Sequence, residues 1–204
     1  EAKRIDYKPS ILAQSLRTNK TYTIGLLIPS IDNPYFATIA SEIVFEAKRY
    51  GYTVILLDTL EDEGNESECI NTLLTRSIDG IILVPCGERP ESLEKIDEQT
   101  PIVLIDRYFE DTSLSYICTD NYRGALDGVK LLIENGHKEI LCIRGVPHSM
   151  PSKERVKGYI DALRESGFDT RSRIAGNDYS ITNGYLETKL AIGSPARPTA
   201  IFAL

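Results

Sequence analysis

The chain has 204 residues, of which 42% are hydrophobic and 26% are charged, and its formal net charge is −7. This length can bury one large core or two smaller ones, and the composition is that of an ordinary globular protein. Because no apolar run reaches the roughly 18 residues that a membrane-spanning helix needs, the sequence excludes such a helix.

The four cysteines, Cys69, Cys86, Cys118 and Cys142, are far apart and form no C-x-x-C pair. This spacing predicts buried, reduced thiols in a cytoplasmic protein, with no metal site and no cofactor. The opening segment, Glu1–Lys8, is charged and no apolar stretch of a secretory signal follows it, which also favours a cytoplasmic protein.

The first twenty residues differ from the rest, because they carry five Lys/Arg and two Asp/Glu in an otherwise acidic chain. A basic arm on an acidic body is typical of a segment that meets a polyanion. Within it, Ser10–Arg17 has the pattern of two helical turns, with Ser10 as the N-cap. Isolated helices shorter than about 12–15 residues are marginal in water, so this helix is predicted to need a partner surface. A frayed terminus, or a helix docked on the body, is the alternative.

From residue 21 onward, short β-branched runs alternate with helical patterns. The predicted strands are 23–28, 53–58, 80–84, 102–105, 116–119, 139–144, 173–175 and 199–203. The predicted helices are 34–50, 65–76, 90–98, 121–134, 152–166 and 181–191. This alternation predicts parallel sheets with right-handed crossovers, and therefore an α/β fold. It starts again near residue 120, which predicts a linker over 1–20, a first domain over 21–120 and a second over 121–204.

Ligands of open parallel sheets bind beyond the carboxyl ends of the strands, so the segments after each strand supply the candidate site residues. Tyr35 and Phe36, at the start of the first helix, can stack on a sugar or a base, or pack in the core. Cys86 either lines a cleft or is an inert filler. Asp106 and Arg107 must pair or meet a polar ligand, because an unpaired buried charge is costly.

The second half of the chain adds three candidates. Asp120 can hold ligand hydroxyls or cap the helix that begins at residue 121. Ser149 lies in a loop. The planar guanidinium of Arg155 suits two-pronged contacts to hydroxyls or a carboxylate. The alternative for Arg155 is a solvated residue on the surface of its helix. The acidic stretch 61–66 is predicted to be a solvated loop at a helix N-terminus.

No catalytic set is present in the sequence. Neither His137 nor His148 lies in a G-x-S-x-G or H-E-x-x-H context, and no glycine-rich phosphate loop occurs. The sequence therefore predicts that the protein is not an enzyme.

Several ordered motifs resemble the lac-repressor family of bacterial transcription regulators across essentially the whole chain. They are Tyr7-Lys8-Pro9-Ser10, Ala13, Ser15-Leu16, Thr23–Pro29, Asn33-Pro34-Tyr35-Phe36, Asp106-Arg107, Thr119-Asp120-Asn121, Gly136-His137 and Ser152–Tyr159. In that family the hinge helices of two subunits pair in the DNA minor groove. The resemblance implies that Ser10, Ala13 and Leu16 are DNA-binding hinge residues and that Leu16 wedges between base pairs, a known device for kinking DNA.

The resemblance also implies two flavodoxin-like, periplasmic-binding-protein-like subdomains with an effector in the cleft between them. The implied effector-binding residues are Tyr35, Phe36, Cys86, Asp106, Arg107, Asp120, Ser149 and Arg155. The expected protein is a homodimeric repressor whose affinity for operator DNA is controlled by a small molecule, most simply a carbohydrate. The family's N-terminal helix-turn-helix is not in this sequence, and the second subdomain is expected to be incomplete at Leu204.

Two other classes remain as alternatives. A periplasmic sugar receptor shares the expected fold, but it lacks a hinge such as Tyr7–Leu16 and carries a signal peptide. An α/β enzyme is disfavoured because no catalytic constellation is present.

Overall fold

The computed structural model describes residues 20–87, 91–168 and 173–204. The chain divides between Cys118 and Thr119 into two compact units, called unit 1 and unit 2 below. The predicted hinge residues Ser10, Ala13 and Leu16 lie outside the described residues. Within the described ranges, none of the helices has both the length and the apolar character needed to cross a membrane.

Unit 1 contains a five-stranded parallel sheet. Its strands are β1 (Thr23–Ile28), β2 (Thr53–Asp58), β3 (Gly80–Leu83), β4 (Ile102–Ile105) and β5 (Ser115–Ile117). Its helices are α1 (Pro34–Arg49), α2 (Glu63–Leu74) and α3 (Glu91–Asp97). The strand order is β2-β1-β3-β4-β5, so the direction of winding reverses between β1 and β3. In such a sheet, a ligand crevice forms beyond the carboxyl ends of the strands at this reversal.

Both faces of this sheet are covered at the central strand β1, whose successive residues pack on opposite sides. Leu27 packs with Leu73 and Ile81 in one core cluster, whereas Leu26 and Ile28 belong to a second cluster. Gly25 allows α2 to approach β1 closely, since a Cβ at this position would lie 2.3 Å from Cδ1 of Leu73. The continuous apolar run of β1 follows from this burial on two sides.

Unit 2 contains a three-stranded parallel sheet in the order β7-β6-β8. Its strands are β6 (Ile140–Ile143), β7 (Arg173–Ala175) and β8 (Ala200–Ala203). Its helices are α4 (Asn121–Glu134), α5 (Met150–Glu165) and α6 (Ile181–Gly193). Tyr159 of α5 is 1% exposed and donates a hydrogen bond of 2.8 Å to the Ile140 carbonyl, which ties the helix to the central strand.

Close contact between α4 and α5 depends on Gly158. A Cβ at Gly158 would lie 2.5 Å from the carbonyl oxygen of Tyr122 and 2.9 Å from the Cβ of Ala125. Atoms at such distances overlap, so any larger residue requires the two helices to separate.

Most element boundaries agree with the sequence predictions to within two residues. Helix α2 begins at Glu63 and not at residue 65, because the Asp62 side chain accepts a hydrogen bond of 2.8 Å from the Asn65 amide and caps the helix. Strand β5 ends at Ile117, earlier than predicted. The three residues of this edge strand are exposed, and so is Cys118, so the prediction of buried thiols is wrong for this residue. Cys142 is buried, Cys69 and Cys86 are partly buried, and all four thiols are free.

Candidate functional site

The two adjacent aromatic residues at the N-terminus of α1 lie in different environments, one in the core and one at the surface. The Asn33 side chain accepts a hydrogen bond of 3.0 Å from the Tyr35 amide, and Pro34 occupies the first turn, as the sequence predicts. Phe36 is 4% exposed and belongs to the core with Ala40, whereas Tyr35 is 46% exposed. Their rings are edge-to-face at 5.1 Å. Phe36 therefore supports the ring of Tyr35 from within the core, and Tyr35 presents a surface to solvent.

Asp106 follows β4 and contacts Tyr35. The Tyr35 hydroxyl donates a hydrogen bond of 2.8 Å to Oδ1 of Asp106. The backbone of Asp106 is left-handed, with φ of 64°. Non-glycine residues adopt this conformation rarely, and such residues concentrate at functional sites. The carboxylate is thus held at the end of β4 by the phenol of a neighbouring segment.

Arg107 is buried and forms an ion pair with Glu61. Its Nη2 and Nη1 donate to the two carboxylate oxygens of Glu61 at 2.6 and 2.8 Å. Nη1 also lies 3.4 Å from the Pro85 carbonyl, and the guanidinium carbon is 5.9 Å from the centroid of the Phe36 ring. The sequence analysis left open whether Arg107 pairs with another charge or meets a polar ligand, and in the structure it pairs with Glu61. Glu61 was not identified from the sequence.

Cys86 lies at the carboxyl end of β3 in a polar but enclosed setting. Its sulfur is 2.9 Å from the Thr59 hydroxyl, and its amide donates a hydrogen bond of 2.6 Å to Oε2 of Glu66. Burial raises the pKa of the Cys86 thiol to about 12. Since the thiolate is the reactive species, this cysteine is a neutral, inert group at ordinary pH.

The acidic stretch 61–66 lies at a helix N-terminus and is largely exposed, as predicted, but the prediction of a merely solvated loop is wrong for Glu61 and Glu66. Glu61 pairs with Arg107, Asp62 caps α2, and Glu66 is 6% exposed beneath Cys86. Burial raises the pKa of Glu66, and the hydrogen bond from the Cys86 amide opposes that shift. The available signal was positional, because this stretch follows β2 and parallel strands bring their carboxyl ends to one edge.

In unit 2, Ser149 lies in the segment after β6 and contacts Tyr179. Ser149 is 8% exposed, and its Oγ lies 3.0 Å from the Val146 carbonyl and 3.1 Å from the Tyr179 hydroxyl. The Tyr179 ring covers Gly145 so closely that a Cβ there would be 2.0 Å from the ring. Tyr179 was missed from the sequence, although an aromatic residue shortly after a strand is a recognisable signal.

Arg155 and Asn121 are also brought together. Nε of Arg155 donates a hydrogen bond of 2.8 Å to Oδ1 of Asn121, and Nδ2 of the Asn121 side chain donates to the Thr119 carbonyl at 3.2 Å. Arg155 is half-buried and lies in the second turn of α5, since that helix begins at Met150 and not at residue 152. Asp120 is exposed and caps α4, accepting from the Arg123 amide at 2.8 Å, which is the capping option of the sequence analysis.

These contacts define two polar surfaces at the carboxyl ends of the strands, one in each unit. In unit 1 the surface consists of Tyr35, Asp106 and the Glu61–Arg107 pair; in unit 2 the polar contacts are two separate pairs, Ser149 with Tyr179 and Arg155 with Asn121. Across the part of the chain that the structure describes, no three His, Cys, Asp or Glu side chains are grouped so that they could hold a metal ion. The arrangement offers hydrogen-bond donors, acceptors and aromatic faces, which suit a polar organic ligand.

Comparison with known proteins relates nearly all of the chain to one family. The sequence model described as "Periplasmic binding proteins and sugar binding domain of LacI family" matches residues 21–203. The NTD biosynthesis operon regulator NtdR of Bacillus subtilis is 34% identical over 199 residues, covering 97% of this chain and 60% of that protein. The sucrose operon repressor of Klebsiella pneumoniae is 31% identical over 185 residues, covering 90% of this chain and 55% of that protein.

A solved structure of a transcription regulator is also similar to this chain. The crystal structure of the transcription regulator CcpA of Lactococcus lactis matches with a TM-score of 0.75 and 27% identity, covering 89% of this chain and 67% of that one. The chain thus spans somewhat under two thirds of the length of the curated relatives that it matches.

Proposed function

Because the chain belongs to the family of periplasmic binding proteins and LacI-type sugar-binding domains, we propose that it is the ligand-binding part of a transcriptional repressor controlled by a small carbohydrate. The relatives support this proposal, since they are an operon regulator and a sucrose operon repressor. On this proposal the protein acts on operator DNA in the cytoplasm as a homodimer. It performs no catalysis.

The observation that carries the proposal is the chemistry at the strand ends. Asp106 offers carboxylate oxygens, Arg155 and Tyr35 offer donors, and the Tyr35 and Tyr179 rings offer aromatic faces, while the buried Asn121 holds Arg155 in place. Sugars present alternating hydroxyls and flat apolar patches, so this mixture of groups fits them. Tyr35, Phe36, Cys86, Asp106, Arg107, Asp120, Ser149 and Arg155 are accordingly proposed as residues of the effector site or its immediate support.

The proposed control of DNA binding is a linkage between two sites. A sugar alters operator affinity only through different affinities for the DNA-competent and DNA-incompetent conformations. Operator DNA must then alter sugar affinity by the same factor, which is typically about 5- to 150-fold in allosteric proteins.

The proposal is tested with the full-length protein and a labelled DNA fragment from upstream of its own gene. Fluorescence anisotropy would measure DNA affinity with and without sucrose, ribose, glucose and fructose. We expect specific binding and a change of about fivefold or more with one sugar. Sugar binding without DNA binding would support the alternative, a periplasmic-type receptor. DNA binding that no sugar alters would show that the effector is not a carbohydrate.

The hinge residues Ser10, Ala13 and Leu16 are proposed to contact the minor groove. Leu16→Ala in the full-length protein should weaken operator binding and reduce DNA bending, because an apolar wedge between base steps is lost. Sugar affinity in the absence of DNA serves as the internal control and should stay unchanged. A variant with full operator affinity would overturn this role for Leu16.

A further inference from the structure

Glu61 covers the guanidinium of Arg107. The Arg107 side chain is 6% exposed, whereas that of Glu61 is 38% exposed and holds both terminal nitrogens of the arginine. The remaining contacts of the guanidinium include the Pro85 carbonyl and the face of Phe36. Glu61 therefore occupies the position from which a negatively charged ligand group would otherwise reach this cation.

A turn with left-handed backbone conformation places Glu61 over the guanidinium of Arg107. Leu60 and Glu61 are both left-handed, with φ of 55° and 54°. The turn is held by a hydrogen bond of 2.9 Å from the Leu60 amide to Asp58, and by another of 2.9 Å from the Glu61 amide to the Pro29 carbonyl. Two successive non-glycine residues in this conformation are uncommon, and such strain persists where the surrounding structure imposes it, often at functional sites.

The charge of the unit 1 surface follows from this pairing. Among the described residues that follow β1, β2, β3 and β4 up to the next helix or strand, Arg107 is the only cation, and the buried carboxylate of Glu66 lies near it. Asp106 adds an acceptor at the same edge. Among the described residues of this surface, a phosphate or carboxylate would meet Glu61 and Asp106, and the cation Arg107 is already paired with Glu61. A hydroxyl, in contrast, can donate to these carboxylates.

We propose that Glu61 is a specificity-determining residue that makes the effector site prefer a neutral sugar to the phosphate ester of the same sugar. This inference rests on the proposed function and adds to it the charge class of the effector. The discrimination is a repulsive one, since it arises from carboxylates that a phosphate group must approach.

The test uses matched pairs of ligands and the full-length protein. Calorimetry would measure affinities for glucose and glucose 6-phosphate, fructose and fructose 1-phosphate, and ribose and ribose 5-phosphate. For the pair that binds, the wild-type protein should prefer the neutral sugar by about tenfold or more. Glu61→Gln keeps the size of the side chain but removes its charge, so it should shift the affinity ratio about tenfold towards the phosphate.

Two further variants separate specificity from stability. Glu46→Gln is the control, because both carboxylate oxygens of Glu46 accept from Nη1 of Arg49 on the exposed surface of α1, and it should leave the ratio unchanged. The double variant Glu61→Gln/Arg107→Gln should lose the gain for the phosphate, because the uncovered cation is removed. A purely structural role would lower both affinities together and leave their ratio constant.

The outcomes are distinct. A wild-type preference for the phosphorylated member, an unchanged ratio in Glu61→Gln, or a gain that persists in the double variant would overturn the inference while leaving a carbohydrate effector in place. Absence of binding by every sugar and every phosphate would instead overturn the proposed function, and the inference with it. A wild-type preference for the phosphorylated member would overturn the inference even if Glu61→Gln does not fold.

Discussion

The Tyr35 hydroxyl donates a hydrogen bond of 2.8 Å to Asp106, and this contact joins two segments that are 71 residues apart in the chain. The two segments follow β1 and β4, which are separated in the sheet by β3. The phenol therefore spans the edge of the sheet above the reversal in strand order. It holds the Asp106 carboxylate in one orientation, which is the preorganisation that a ligand site requires.

Replacing Tyr35 by Phe should weaken sugar binding with little loss of stability. The variant keeps the ring but removes the donor to Asp106, so a severalfold loss of sugar affinity is expected, with a loss of about 1 kcal/mol or less in the free energy of unfolding. Calorimetry and urea unfolding would measure the two effects. Tyr50→Phe is the control, since Tyr50 is 76% exposed. Unchanged sugar affinity in Tyr35→Phe would show that the hydrogen bond from Tyr35 to Asp106 has no role in sugar binding.

Arg155→Ala should abolish the sugar response while leaving the fold intact. A charge-assisted hydrogen bond to a ligand contributes about 1.5–3 kcal/mol, so affinity should fall about tenfold to a hundredfold. Arg155→Lys should also bind poorly, because a point charge does not replace the planar guanidinium. Arg164→Ala is the control on the same helix, where Arg164 is exposed and pairs with Asp161. A large fall in melting temperature would show that Arg155 and its bond to Asn121 are structural.

Two glycine-to-alanine substitutions should change stability in opposite directions. Gly158→Ala should lower the free energy of unfolding by about 1–3 kcal/mol, because its Cβ would overlap the Tyr122 carbonyl. Gly124→Ala should raise it by about 0.5–1 kcal/mol, because a Cβ there meets no atom within 4 Å and alanine favours the helix. Urea unfolding would measure both. A stabilising Gly158→Ala would contradict the close packing of α4 on α5.

Glu66 should reduce stability as the pH rises. Burial raises its pKa above the ordinary value of 4.5 in the folded protein. The folded state therefore binds this proton more tightly than the unfolded chain, and the contribution of Glu66 to stability declines between pH 4.5 and its raised pKa. In Glu66→Gln this decline should be absent, so the melting temperature relative to wild type should rise with pH across that window. Glu42→Gln, at an exposed position of α1, is the control. A constant difference at every pH would contradict the assignment.

The sequence predicted the bounds of an element well where capping residues and glycines mark its ends. Helix α4 begins and ends as expected, because Asp120 caps it and Gly136, with φ of 89°, follows its end. The apolar run of β1 and the Asn33-Pro34 start of α1 were equally readable. The start of α2 moved because Asp62, outside the helical pattern, acts as its cap.

The candidate site was predicted in part. The sequence indicated Asp106, Arg107 and Ser149 because each follows a strand, and their motifs resembled a known family. It did not indicate Glu61 or Tyr179, the side chains that contact two of them. It also predicted that Cys118 is buried, whereas Cys118 follows β5, an edge strand whose residues are all exposed.

By itself, the sequence determined the α/β class, the parallel sheets and the family, since these depend on periodicity, caps and ordered motifs that act over short distances along the chain. Only the tertiary structure decided which charged groups meet. Glu61 and Arg107 are 46 residues apart, and their contact depends on the strand order and on the left-handed turn at Leu60 and Glu61. Ion pairing between distant residues leaves no periodic trace in a sequence, because its energy depends on distance and burial, which arise only when the sheet assembles.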